Sequence, residues 1–477
     1  MSATPFPRNR AALAAAPAAE EPPARPRTPP RLRSAADLTP SLFDQAVCAI
    51  GLILLWDALL SVLMSAPSQR FILRAGGAPE SSGDTIKQLI FAGLYATALL
   101  RIVMLHGVRA FRYLSIPMAL MVVLALASSQ WSHDPSLTIR RSVALIGTTI
   151  FGLYAGLSYG EVALARLIHR AVFVLAVLSA LLAVGLPSYG LMPAEQGSQW
   201  RGVFSHKNGL GDAMAFGLTA GLFVLRSRPV TDTMAMVWRL GTFAVMAGCL
   251  AMSGSATALI VAMAGMTLVM LVTHRQDAGS LAIELYGGIM VIMLAAIFAI
   301  LNLETIVTLL GRDITLTGRT LIWEFAFGMI EQQPVLGYGF SAFWSGLDAP
   351  GALFWRTSGR FDIHAHNGFI QTTLDVGLLG IGLFLVAYVI YLSRIARIVP
   401  VDRSGAARWH IVFAMMLLLA NIAESSLLVQ NGLLWFLFTA FQTRLSKTVH
   451  AHALTPRPEP GRRPRLRNGI PVAEPRS

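Results

Sequence analysis

The chain has 477 residues, of which 55% are hydrophobic and 13% are charged, and its mean hydropathy is +0.60. Soluble domains carry about a quarter of charged residues, so this composition excludes a soluble protein and predicts a membrane protein. The net charge of +13 does not indicate a nucleic-acid partner, because membrane topology accounts for most of the basic residues.

Residues 1–40 are rich in Ala, Pro and Arg without apolar periodicity, which predicts a disordered cytoplasmic tail. We expect no signal peptide, because the first apolar run starts near residue 44, contains Asp57 and lacks a small-residue cleavage site. A polytopic membrane domain is predicted over residues 41–445. Residues 446–477 are predicted to form a basic, disordered cytoplasmic tail.

Apolar runs of about 17 to 22 residues recur along the membrane domain, each long enough to cross a bilayer as a helix. They are continuous rather than alternating, which predicts helices and not a β-barrel. The fold class is therefore all-α, a polytopic integral membrane bundle of about twelve spans. The predicted spans are 44–64, 86–105, 113–129, 139–159, 167–186, 208–225, 237–252, 255–273, 281–301, 367–391, 409–426 and 430–445.

The distribution of Lys and Arg predicts the orientation of the spans. With both termini in the cytoplasm, 27 of the 38 basic residues fall on the cytoplasmic side, as the positive-inside rule requires. The tails then lie against the anionic leaflet. The 11 basic residues left on the outer face need another explanation.

The one long outer loop, residues 302–366, is too long to be a bare connector and is predicted to be structured. A helix is predicted to start at 317–320 and to stop before Pro334. Its apolar residues predict packing on the bundle or in the interface, with Trp323 near headgroup depth. A Gly-aromatic turn containing Tyr338 follows.

Arg201, His206 and Lys207 lie within seven residues at the outer start of the sixth span, followed by Asn208. Free N–H groups at a helix N-terminus favour an anion, so these residues predict an anion site. Anchoring of the span in the interface is the alternative. Arg319 is predicted in the first turn of the loop helix, where it suits a diphosphate oxygen or is an ordinary surface arginine.

His364 and His366 lie just before Asn367 and the tenth span. An imidazole at this position suits a general base, and a structural histidine is the alternative. A zinc site needs third and fourth ligands at fixed spacing; none is evident, so we predict no metal. Cys48 and Cys249 both lie inside spans and predict no disulfide framework.

Two outer-face arginines, Arg140 and Arg141, enter the fourth span and are candidates for a second phosphate or an acceptor sugar, with snorkelling as the alternative. Three acids inside predicted spans, Asp57, Asp375 and Glu424, are expected to pair within the bundle.

Four motifs follow one another along residues 130–440. They are Arg201-Gly-Val-Phe-Ser-His206-Lys207-Asn208, Gly318-Arg319-Thr320-Leu-Ile-Trp323, Pro334-Val-Leu-Gly-Tyr338-Gly-Phe, and His364-Ala-His366-Asn367 with Asp375-Val-Gly377-Leu-Leu-Gly380. This set resembles the O-antigen ligase and polymerase superfamily, with the closest likeness to its exopolysaccharide polymerase branch.

The resemblance implies a GT-C-like fold that transfers a glycan from undecaprenyl diphosphate at the periplasmic face without metal or cofactor. It implies that Arg201 and Arg319 hold the diphosphate, with His206 and Lys207 nearby, and that His366 deprotonates the acceptor. His364 remains a second candidate for the base. The remaining candidates, for substrate, acceptor or supporting contacts, are Asn208, Asn367, Trp323, Tyr338, Arg140 and Arg141.

The resemblance also implies a location in the bacterial inner membrane. The expected partners are the undecaprenyl-diphosphate-linked oligosaccharide, a growing glycan or lipid A core as acceptor, and membrane lipids, with a flippase and a chain-length co-polymerase as further candidates. The primary hypothesis is a polymerase of lipid-linked repeat units. An O-antigen ligase is the nearest rival, and a protein O-glycosylating transferase comes next. A transporter or flippase would require polar residues at mid-membrane and an internal repeat, and neither is evident.

Overall fold

The computed structural model describes residues 40–56, 82–193, 198–227, 232–274, 319–359, 364–402 and 404–453, with residues 466–467 and 470–471. Several predictions lie outside these residues. They concern the ninth span at 281–301, the start of the outer loop at 302–318, Asp57, and most of the two predicted tails.

Helices make up nearly all of the described chain. In order they are α1 (Leu42–Leu55), α2 (Ser82–His106), α3 (Ile116–Ala127), α4 (Pro135–Ser158), α5 (Glu161–Gly185), α6 (Pro187–Gly190), α7 (Lys207–Ser227), α8 (Thr233–Ser253), α9 (Ala256–His274), α10 (Arg319–Gln332), α11 (Ala352–Ser358), α12 (Gly368–Ile398), α13 (Trp409–Ala423) and α14 (Leu433–Ala453). Short 3-10 helices cover Val108–Tyr113, Ser128–Gln130 and Ala406–Arg408.

Six of the described helices are long and apolar enough to cross a membrane. They are Thr85–His106, Glu161–Gly185, Lys207–Ser227, Thr233–Ser253, Ala256–Thr273 and Gly368–Ile398. Each predicted span that is described coincides, wholly or in part, with a helix. The chain is therefore a multi-pass, all-helical membrane protein in its described membrane domain, while the count of twelve spans stays a prediction.

The last helix extends beyond the predicted twelfth span. Helix α14 continues to Ala453, past the predicted end of that span at residue 445. Two short antiparallel strands, β1 (Leu466–Arg467) and β2 (Ile470–Pro471), lie further along. Cys48 and Cys249 are both buried free thiols.

Small residues let the helices approach closely. A Cβ at Gly152 of α4 would lie 2.8 Å from the carbonyl oxygen of Phe436 in α14, and one at Gly156 would clash with the Ala440 carbonyl. This Gly-x-x-x-Gly spacing is the small-residue pattern of packed membrane helices. Among the six helices long enough to cross a membrane, α7 is the most buried, with 78% of the residues in its most apolar stretch buried. It packs on α5, α8 and α9.

Helix α12 breaks at Val376 and Gly377, where Gly377 has φ +68°. The loop after α10 fills the break: the Tyr338 N–H donates to the Leu374 carbonyl (2.8 Å), and the Gly339 N–H donates to the Asp375 carbonyl (3.0 Å). Backbone groups freed inside a membrane helix need such partners. The loop is thereby fixed against the N-terminal part of α12, which directly follows the two histidines.

A buried ion cluster joins α5, α13 and α14 elsewhere in the bundle. Glu161 accepts from Arg444 Nε at 3.0 Å and lies 3.4 Å from His410 Nε2. Such a cluster inside an apolar bundle is tolerated because its charges are paired, and it holds three helices in register.

Candidate active site

The candidate site is centred on Glu424, the residue that follows α13. Its Oε1 accepts a hydrogen bond of 2.7 Å from Asn208 Nδ2 and lies 3.5 Å from Arg319 Nη2. Its Oε2 lies 3.9 Å from His366 Nδ1. One carboxylate therefore gathers an amide, a cation and an imidazole from three separate elements. The side chain of Glu424 is only 13% exposed, so these interactions are partly shielded from solvent.

His366 is held in an unusual backbone conformation. Its φ of +50° lies in the left-handed region, which costs a non-glycine residue about 1 kcal/mol or more. The His366 N–H donates to His364 Nδ1 at 3.2 Å, and the two rings lie 4.0 Å apart between centroids. Such local strain is found where surrounding contacts fix a functional residue.

Contacts of Asn367 and Gly368 with the end of α13 fix His366 near Glu424. The Asn367 N–H donates to Ser425 Oγ, and Asn367 Nδ2 donates to the Ile422 carbonyl, both at 3.1 Å. Asn367 Oδ1 caps α12 by accepting from the backbone N–H groups of residues 369 and 370. A Cβ at Gly368 would clash with the side chain of Asn421, so only glycine allows this approach.

Helix α10 begins at Arg319, where the sequence predicts the loop helix to start. One turn later, Trp323 Nε1 donates to the Ala365 carbonyl at 2.8 Å. The Ala365 N–H in turn donates to Gln371 Oε1 at 3.0 Å. The helix that carries Arg319 is thus tied directly to the segment between the two histidines.

Gln371 connects this segment to the Gly-aromatic turn. Its Oε1 also accepts from Trp344 Nε1 at 3.0 Å, and its Nε2 donates to Asp375 Oδ1 at 3.0 Å. Asp375 thus has a side-chain partner inside the bundle, as expected of a span acid. Gln371 was not singled out in the sequence, because a lone glutamine in the first turn of a span gives no chemical signal.

The N-terminus of α7 brings a second acid to the site. Asn208 lies in its first turn, and Asp212 lies one turn further on the same face, where it interacts electrostatically with Glu424 and Arg319. His206 Nδ1 accepts the N–H of Asn208 at 3.2 Å, and Lys207 is the first residue of the helix. Asp212 could have been found from its i+4 relation to Asn208.

Arg201 is buried, with 4% exposure. It donates from Nε to the Tyr189 carbonyl (3.0 Å) and from Nη2 to the Ser188 carbonyl (3.2 Å). Burial lowers the pKa of its guanidinium, as expected when a charged form loses water. These bonds fix the turn before the α7 motif and use two of the five N–H groups of the arginine.

The structure places two further candidates in the packing of the loop. Arg141 donates to the Ser341 carbonyl and, at 2.8 Å, to Ser345 Oγ. Tyr338 donates from its hydroxyl to the Met329 carbonyl at 2.8 Å, and burial raises its pKa. Arg140 is exposed. A direct role of these three residues in binding stays a prediction.

Three side chains of the site have the donor types that a metal ion takes. Ligand atoms of His364, His366 and Glu424 all lie within 4.8 Å of one another. Sequence spacing does not reveal this cluster, because the third donor lies on another element, 58 residues after His366.

Comparison with known proteins connects this site to a family. Residues 241–385 match the sequence model of the O-antigen ligase family, a segment that contains Arg319, His364 and His366. The chain is 27% identical over 287 residues to the exopolysaccharide production protein ExoQ of Rhizobium meliloti, covering 57% of this chain and 63% of that relative.

Shorter matches join it to putative polysaccharide ligases. The relative from Rickettsia prowazekii is 35% identical over 83 residues and the one from Rickettsia felis 32% over 84 residues; each match covers 17% of this chain and 20% of the relative. All three relatives are therefore matched over less than two thirds of their length. The family match and these relatives together confirm the resemblance to the O-antigen ligase and polymerase superfamily that the four motifs predict.

Proposed function

We propose that the chain is an inverting, metal-independent glycosyltransferase that moves a glycan from undecaprenyl diphosphate to a sugar hydroxyl, and that it polymerises repeat units of an exopolysaccharide or O-antigen. One observation carries the proposal. Arg319 and His366 approach the two oxygens of the Glu424 carboxylate, at 3.5 Å and 3.9 Å. This reaction needs a cation for the leaving group and a base for the acceptor hydroxyl, and here both contact the same carboxylate.

His366 has the role of general base. The acceptor hydroxyl gives its proton to the imidazole while its oxygen attacks the anomeric carbon of the donor glycan. Glu424 acts as a positioning residue: its Oε2 faces His366 Nδ1, so it orients the ring and stabilises the imidazolium that forms. The left-handed backbone of His366 fixes this orientation in advance of the reaction.

Arg319 has the role of stabilising the leaving group. As the new glycosidic bond forms, the bond between the anomeric carbon and the diphosphate oxygen breaks, and negative charge grows on the undecaprenyl diphosphate. The guanidinium then moves its interaction from Glu424 to the phosphate oxygens, aided by the positive end of the α7 helix dipole. Arg201, His206 and Lys207 are proposed to complete the diphosphate site.

The relative named for exopolysaccharide production supports the polymerase, and the relatives named as polysaccharide ligases support a ligase that transfers the glycan to lipid A core. The polymerase is the first choice, because the match to the exopolysaccharide protein covers 57% of this chain and the ligase matches cover 17%. Both readings place the site at the periplasmic face of the inner membrane.

A transfer assay tests the proposal. Purified full-length protein in lipid nanodiscs receives undecaprenyl-diphosphate repeat units, with or without lipid A core, in buffer containing a chelator. Longer lipid-linked chains in the absence of core support the polymerase, and product only in its presence supports the ligase. A second assay asks whether protein reconstituted in vesicles moves the lipid carrier across the bilayer. Absence of glycan transfer in both nanodisc arms, together with carrier movement in vesicles, would contradict the proposed enzymatic activity and support a transporter.

A further inference from the structure

The side chains of His364, His366 and Glu424 come together from two elements, and their donor atoms lie within 4.8 Å of one another. In a tetrahedral zinc site, donors at about 2.0 Å from the ion lie about 3.3 Å from each other. Small side-chain rotations would therefore bring the three donors into coordinating positions. Two imidazoles and one carboxylate with an open fourth position form a ligand set that zinc takes in proteins.

The remaining contacts of Glu424 suit such a site. Asn208 and Arg319 both approach Oε1, at 2.7 Å and 3.5 Å, while Oε2 faces His366. Hydrogen bonds to the other oxygen of a ligating carboxylate fix its orientation and are typical of metal sites.

We infer that His364, His366 and Glu424 form a binding site for Zn²⁺ that switches the enzyme off. The regulatory part rests on the proposed function. A neutral imidazole has a single nitrogen lone pair, and coordination of an ion by His366 uses it. The liganded imidazole cannot accept the proton of the acceptor hydroxyl, so the ion and the reaction exclude each other.

Metal binding is measured first, independently of activity. Full-length protein without a histidine tag is dialysed against Zn²⁺ in detergent, and bound metal is counted by mass spectrometry; Co²⁺ replaces Zn²⁺ for visible absorption. We expect one ion per chain in the wild type. His364→Gln and Glu424→Gln should each weaken binding at least about 100-fold, and Asn208→Ala about tenfold, as for an outer contact of a ligand.

The chain offers a matched control. His450-Ala-His452 repeats the His-Ala-His sequence in the last turn of α14. A double variant, His450→Gln with His452→Gln, should bind Zn²⁺ as the wild type does. Equal binding by the wild type and the two site variants, loss of binding in the control variant, or no bound ion at all would overturn the site.

X-ray absorption of the zinc-loaded wild type identifies the ligands of the ion directly, so it tests the site even if a site variant does not fold. The spectrum must show two imidazoles in the first coordination sphere, and a sphere without imidazole overturns the inference. Zn²⁺ should also stop glycan transfer, with recovery on chelation; bound ion without inhibition overturns the regulatory part. Metal-free protein that transfers nothing would refute the proposed function instead, and the binding result would stand.

Discussion

Asn208 Nδ2 donates a 2.7 Å hydrogen bond to Oε1 of Glu424, joining the first turn of α7 to the residue after α13. The two residues are separated by 216 positions in the sequence. This bond orients the carboxylate so that its other oxygen faces His366. The central claim of the proposed function is that this arrangement prepares His366 and Arg319 for glycan transfer.

Replacement of the central carboxylate tests its positioning role. Glu424→Gln keeps the size of the side chain and removes the charge that stabilises the imidazolium, so we expect kcat to fall about 100-fold with little change in KM for the acceptor. The measurement is the initial rate of transfer at varied acceptor concentration. Glu331→Gln, at an exposed position of α10, is the matched control; an equal loss in both variants would contradict the role.

Arg319 should matter through the transition state. Arg319→Gln removes the cation that meets the growing charge on the diphosphate, and we expect transfer to fall about 100- to 1000-fold. Steady-state rates at varied donor concentration check this expectation. Arg356→Gln provides the control, because Arg356 is an exposed arginine of α11 that donates to the Leu347 carbonyl. Unchanged activity of Arg319→Gln would refute the assignment.

The break in α12 should depend on Gly377. A Cβ there would clash with the Val335 carbonyl, and φ is +68°, so Gly377→Ala is expected to destabilise the protein by about 1–3 kcal/mol. Thermal unfolding in detergent measures the change. Gly382→Ala lies in the same helix with open space around the added methyl and should be neutral or stabilising; the reverse order would contradict the described packing.

Stability should depend on pH through Asp134, the N-cap of α4, whose side chain accepts the backbone N–H of Leu137 at 3.0 Å. Burial raises the pKa of Asp134, but hydrogen bonds from Leu137 and Ser136 lower it more, so its folded pKa lies below its usual value. Its contribution is therefore complete above the unfolded pKa of about 3.9 and is lost as the pH falls through the lower folded pKa. Asp134→Ala should cost about 1 kcal/mol at neutral pH.

Thermal unfolding across a pH series checks this prediction. The difference in stability between wild type and Asp134→Ala should shrink in acid. Asp134→Asn keeps a capping oxygen at every pH and should remain close to the wild type at neutral pH. A difference between wild type and Asp134→Ala that does not change with pH would show that the charge of Asp134 is not responsible.

Local sequence patterns predicted much of the fold. Continuous apolar runs predicted the described spans, and a cap-like start with a following proline predicted the loop helix that begins at Arg319. The break at Val376 and Gly377 could not be predicted, because a glycine inside an apolar run is common in membrane helices. The break is explained by the loop after α10, because its backbone N–H groups bond to the carbonyl groups of α12 at the break.

The site was predictable in part. His366 and Arg319 stood out as polar residues at the edge of apolar segments, and the structure places both beside one carboxylate. Glu424 was expected only to pair inside the bundle, since its partners Asn208 and His366 come from distant elements. Sequence also cannot separate an arginine that binds a ligand from one that holds a loop, as Arg141 does with Ser341.

The most direct test of the central claim measures donor binding and transfer in one protein, His366→Gln, beside wild type and His452→Gln. The account predicts that His366→Gln binds the undecaprenyl-diphosphate donor with a Kd near that of the wild type, while its rate of transfer falls by at least about 100-fold. His452 is exposed in α14, so His452→Gln should keep the wild-type donor affinity and the wild-type transfer rate. Transfer by His366→Gln at the wild-type rate would contradict the account.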